Sequence, residues 1–189
     1  MSRYSLGATA TGGVLLVAAL GLGVHEANRP VVPTVATTVR GDVGEEVAVG
    51  GTVVEVGRAR SAPLIEVPES YGDEVLEYES AGRFLVVRVA YSGKREPDLV
   101  RTLAWRGANG AEYAPSDVFD AGYTEAQPGE WWHLDVIFEM PADAAESGTL
   151  RVLPEGSDWA LPMEIGEVRV DEVEQVEEIA AVLLTAGRG

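Results

Sequence analysis

The stretch FLVVRVAY, Phe84–Tyr91, is apolar at both odd and even positions, with Arg88 as its one charged residue. A half-buried strand alternates apolar with polar residues, whereas a strand covered on both faces reads as a continuous apolar run. The β-branched content favours strand over helix. Phe84–Tyr91 therefore reads as a central strand, and the segments around it should be the strands that cover it.

Short β-branched runs separated by turn residues supply those neighbours: Glu46–Val49, Thr52–Ala59, Leu99–Arg106, Glu112–Tyr113, Glu130–Met140, Thr149–Leu153 and Ala160–Val170. Such spacing predicts an all-β, antiparallel sandwich over residues 41–170. Asn109-Gly110 marks a hairpin between Trp105 and Tyr113, because both positions tolerate positive φ. In QPGEWWHLDVIFEMP, Gln127–Pro141, Gln127-Pro128-Gly129 reads as a turn and Pro141 as a stop. Parity then sends Trp132, Leu134, Val136, Phe138 and Met140 to the core. Trp131, His133, Asp135, Ile137 and Glu139 take the outer face.

Two segments do not read as sandwich strands. SAPLIEVPESYGDEVLEYESAG, Ser61–Gly82, is polar and proline-marked and reads as a long loop or irregular edge, where a rigid domain often carries its specificity. DEVEQVEEIAAVLLTAGRG, Asp171–Gly189, places Val173, Val176, Ala180 and Leu183 at helical spacing with acids in its first turns, which predicts a C-terminal amphipathic helix over 171–189.

At the other end, Tyr4–Val24 carries no charge and, as a helix, would span roughly 30 Å, enough for a bilayer core. Arg3 precedes it and an acidic chain follows, so the expected orientation is N-terminus in, remainder out. Residues 1–26 thus read as a signal anchor, or as a secretory signal that is cleaved, although His25 in VHEA is a poor fit to a small-x-small site. Residues 27–40, proline- and threonine-rich, read as an extended tether.

The 189 residues include 31 acids against 14 Lys and Arg, a formal charge of −17. This surface repels phosphate backbones, so nucleic acid is not an expected partner. With no cysteine there is no disulfide, thiolate nucleophile or lipidated cysteine. His133 and Asp135 could touch on one strand face, but no G-x-S-x-G motif accompanies them. The acids Asp73, Glu74, Glu77 and Glu79, and Asp117 with Asp120, lack the spacing of a calcium loop. No enzyme, cofactor or metal is expected.

Three segments together carry a resemblance: AGRFLVVRVAYSGKREP (Ala81–Pro97), LAWRGANGAEYAPSD (Leu103–Asp117) and QPGEWWHLDVIFEMP. In this order they resemble the immunoglobulin-like extracytoplasmic domain of unknown function found in anchored and secreted proteins of Gram-positive bacteria, related in fold to the secreted mycobacterial immunoprotective antigens. The resemblance implies an immunoglobulin-like β-sandwich at the cell surface and carries over no catalytic residues. The chain lacks the lipobox cysteine and serine-rich linker of many relatives. The expected function is non-enzymatic binding or scaffolding of a protein partner at the surface. The alternative is binding of a cell-wall polymer or small ligand through surface aromatics and the 61–82 loop. Trp131, His133, Tyr71 and Tyr78 are the candidate contact residues, with Trp131 as an exposed platform.

Overall fold

In the computed structural model the described residues are 37–68, 75–100, 102–119, 124–153, 164–181 and 185–186. They form twelve strands: β1 Thr37–Asp42, β2 Glu46–Val49, β3 Thr52–Pro68, β4 Val75–Gly93, β5 Thr102–Gly107, β6 Glu112–Tyr113, β7 Trp132–Met140, β8 Gly148–Leu153, β9 Glu164–Val170, β10 Glu174–Gln175, β11 Glu178–Ala180 and β12 Thr185–Ala186. One sheet runs β1-β9-β8-β5-β6; the other runs β10-β3-β4-β7-β12, with β2 and β11 also on β3. Most pairings are antiparallel, but β1 on β9 and β10 and β11 on β3 are parallel.

The two sheets pack face to face. Val54, Val56, Leu85, Val87, Val89, Leu134, Val136 and Phe138 from one meet Leu103, Trp105, Leu150, Val152 and Val168 from the other in a single core. This is the expected β-sandwich, and the inward parity of β7 is the expected one. Trp105 anchors it. The ring is fully buried, its Nε1–H donates to Ala144 O at 3.0 Å, and it lies 6.4 Å from Phe138 between ring centres. Gly148 is required beside it, because a Cβ there would sit 2.6 Å from the indole.

The turns follow local chemistry. Gly129, at φ +82°, closes Gln127–Glu130 with Glu130 N donating to Gln127 O at 3.0 Å, as a type II turn requires after Pro128. In the β5–β6 hairpin only Gly110 has positive φ, +79°. Gly110 N bonds Gly107 O and Asn109 Oδ1 accepts from Ala111 N, so Asn109 acts through its side chain and not through a left-handed backbone. Trp105 and Tyr113 pair across this hairpin.

Three expectations are corrected. Residues 37–40 of the expected tether belong to β1, where Val39 packs against the core and every residue of the strand pairs with β9. The expected loop Ser61–Gly82 is, as far as it is described, the continuation of β3 to Pro68 and the start of β4 at Val75. Residues 69–74 lie outside the described residues. The expected C-terminal helix is replaced by β10, β11 and β12. There Ile179 and Ala181, two apart, enter an apolar cluster, and Val176 N and Ala181 N donate to Ser61 O and Glu66 O. An isolated helix of this length is marginal in water, while the edge of β3 offers backbone partners at once. Leu183, the last of the expected helical stripe, lies outside the described residues, as do residues 1–36. Among the described residues no helix is long and apolar enough to cross a membrane.

Candidate functional site

β3 and β4 are much longer than the sandwich needs. β7 covers β4 only from Arg83 to Tyr91, so the segments Leu64–Pro68 and Val75–Glu79 run on together as a two-stranded arm, widened to three by β11. Two bulges, at Val56/Ala59 and Ala62/Leu64, re-aim the chain where sandwich gives way to arm. The base of the arm is clipped. Arg83 donates from Nε to Ser61 Oγ at 3.2 Å, and from Nη2 to Ser61 O at 2.9 Å and Val176 O at 3.0 Å. Gly82 lets β4 pass the end of β7, because a Cβ there would meet Met140 O.

The arm has two unlike faces. On one, Ile65 and Val67 join Ala62, Phe84, Val86, Ile137, Ile179 and Ala181 in a second apolar cluster. Tyr78 and Leu76, opposite Ile65 and Val67, share that face. On the other, Glu66 lies opposite Glu77, and Glu79 and Glu178 both pair with Leu64. A hydrogen bond with Glu178 raises the pKa of Glu66, helped by the Glu178 charge, by burial and by Glu77. At the start of β4, Val75 is 57% exposed and Leu76 39%. Val118, 66% exposed, adjoins Phe119, whose ring meets Tyr78 edge-on at 4.8 Å and 86°.

Beyond the base of the arm, the same sheet face turns polar. Arg88 Nε and Nη2 each donate to one oxygen of Asp135, both at 2.7 Å. Asp135 is 2% exposed, and this bidentate bond raises the Arg88 pKa against the opposing effect of burial. Arg60 lies on the same face, its pKa lowered first by burial and next by Arg58. The two oxygens of Asp135 are thus oriented by a guanidinium. His133, which pairs with Ala90 and Thr185, shares the face by parity and is half-buried.

The four expected contact residues do not form one site. Trp131 is 7% exposed, so it does not present the exposed platform expected of it: parity names a sheet face but not what covers it. Trp132, expected as the buried anchor, is half-buried against the core. Tyr78 is packed against Phe119, and it lies twelve residues along β4 from the partner of His133, about 40 Å of extended strand. Tyr71 lies outside the described residues. Val75, Leu76 and Glu66 carry a sequence signal in the alternation of VLEYE, Val75–Glu79, and of LIEVP, Leu64–Pro68, which the surrounding acids hide.

At the opposite end of β4 an open cavity of about 510 Å³ is lined by Gly50, Gly51 and Lys94–Asp98. Asp98 is committed there, accepting from Thr52 Oγ1 at 3.0 Å and Leu99 N at 2.9 Å. Among the described residues no group of three or more His, Asp or Glu side chains is placed to hold a metal ion.

No family model matches the sequence, and no curated protein matches it. Among solved structures the chain is similar to the yjhA protein from Bacillus subtilis, at 12% identity and a TM-score of 0.44, over 67% of this chain and 98% of that one. It is also similar to an uncharacterized β-sandwich protein from Clostridium difficile 630, at 11% identity and a TM-score of 0.43, over 71% of this chain and 94% of that one.

Proposed function

We propose that this chain is a non-enzymatic, membrane-anchored β-sandwich module, immunoglobulin-like in build, that binds or scaffolds a protein partner outside the cytoplasm. The contact surface is the β3–β4 arm. One observation carries the reading: an arm clipped at its base by Arg83 carries exposed Val75 and Leu76 at the start of β4. Exposed apolar side chains on such an arm are a surface for protein contact, and an otherwise acidic exterior keeps polyanions away. The apolar run Tyr4–Val24 supports anchoring. The three resembling segments support placement at the surface of a Gram-positive cell.

Cross-linking in intact membranes followed by pull-down tests this. A reproducible protein partner is expected with the wild-type chain, recovered at least about tenfold less with Leu76→Asp, a change at an exposed site that leaves the core intact. Equal recovery with the variant would remove the arm as the contact surface. Recovery of no partner at all would count against the reading itself. N-terminal sequencing of the native protein decides between an anchor and a cleaved signal: a start downstream of Val24 would rule out the anchor.

A further inference from the structure

The unlike faces of the arm specify its partner, given that the arm is the contact surface. β4 pairs with β3 along Val75–Glu79, and β7 stops at Arg83, so among the described residues no strand covers the other edge of β4 from Val75 to Gly82. Alternate residues of an edge strand turn their N–H and C=O groups outward, ready to pair with another chain. Elsewhere this sheet hides such edges: β2, β10 and β11 follow one another along β3, and β12 together with the Ser116 N to Ile137 O bond covers β7. Among the described residues the segment Val75–Glu79, about 17 Å of strand, is left without a neighbour on this edge and bears the exposed apolar residues Val75 and Leu76.

We propose that this edge accepts an extended segment of a partner protein as an added strand, and that the segment alternates apolar with basic residues. The alternation follows from the faces. A strand laid beside VLEYE sets one side chain in every two next to Leu76 and Tyr78, where an apolar group continues the cluster of Ile65, Val67 and Phe119. The intervening side chains fall beside Glu77 and Glu79, on the face that also holds Glu66, Glu178 and, at the start of β4, Val75, where a cation is favourable beside the glutamates. The same charges exclude a second copy of this chain. Antiparallel self-pairing centred on Glu77 sets Glu77 against Glu77 and crowds the four glutamates of each copy together.

The probe is a fluorescent peptide of about seven residues alternating valine and lysine, titrated against the full chain in detergent micelles. Its controls are the same peptide N-methylated at alternate residues, which keeps the charge but cannot form a ladder, and a valine–glutamate peptide. The valine–lysine peptide should bind at least about tenfold tighter than either control, and Glu77→Lys combined with Glu79→Lys should invert the preference between lysine and glutamate peptides. Equal affinity for methylated and unmethylated peptides would reduce the binding to bulk electrostatics and overturn strand addition. So would an unmoved preference in the double variant, or a concentration-dependent dimer of the wild type at neutral pH that Leu76→Asp abolishes. If partner capture depends on Leu76 but the peptides show no ladder, the arm remains the contact surface and strand addition alone falls.

Discussion

The two halves of the β3–β4 hairpin use the same pair of strands in opposite ways. Within the sandwich, β4 is buried on both faces: Leu85, Val87 and Val89 point into the core between the sheets, while Phe84 and Val86 point into the cluster on the outer face. Along the arm one face is apolar, the other sets glutamates among Leu64 and Val75, and one edge is unpaired among the described residues. Burial on two faces commits a strand to stability, and burial on one face leaves an edge and a surface free for something else. One hairpin therefore serves as both the keel of the domain and its projection.

The largest expected effect separates the two halves by truncation. Phe138→Ala removes a fully buried ring between the sheets and should lower stability by about 3–5 kcal/mol, seen as a lower urea midpoint for the whole domain. Ile179→Ala empties a buried position on β11, a three-residue edge strand, and should act locally. Its main sign should be faster hydrogen exchange at Ala181 N and the neighbouring arm amides. If both substitutions shifted the global midpoint equally, the arm would be part of the cooperative core and the contrast would collapse.

Within the sandwich half, the outer face of β4 also carries a charged pair, Arg88 with Asp135. Asp135→Asn should destabilise by about 2 kcal/mol, less than a fully buried pair would, since Arg88 is partly exposed and can recover water. A double-mutant cycle with Arg88→Met isolates the pair, and a coupling near zero would show that Asp135 is held by its other surroundings.

The sandwich half was legible because its apolar period is regular. FLVVRVAY declared two covered faces, and QPGEWWHLDVIFEMP declared its turn, its parity and its end. The arm was not legible, because the bulges at Val56/Ala59 and Ala62/Leu64 interrupt the period that would have joined Thr52–Ala59 to Leu64–Pro68. The C-terminal segment satisfies a helical spacing through Val173, Val176 and Ala180 and a strand spacing through Ile179 and Ala181. Only the waiting edge of β3, a tertiary feature, chooses between them. For Trp131 the sequence assigned a face, but its burial depends on what lies over that face, which period cannot report.

The smallest expected effect concerns the acidic side of the arm and has a definite sign. Glu66 titrates above its ordinary value of 4.5 in the folded chain, chiefly through the hydrogen bond with Glu178 that one of the two carboxyls must be protonated to make. A carboxyl raised by folding binds its proton more tightly in the folded state. Its favourable contribution is therefore complete below the unfolded value and is lost as pH rises through the folded one. Glu66→Gln keeps a donor and an acceptor but cannot ionise. Relative to the wild type it should gain stability between pH 4 and pH 7, read as a difference of denaturation midpoints, and should slow exchange at Ala181 N, which bonds Glu66 O. A midpoint difference that stayed flat across that range would mean that Glu66 and Glu178 do not share a proton, and the arm would then carry its glutamates as independent charges.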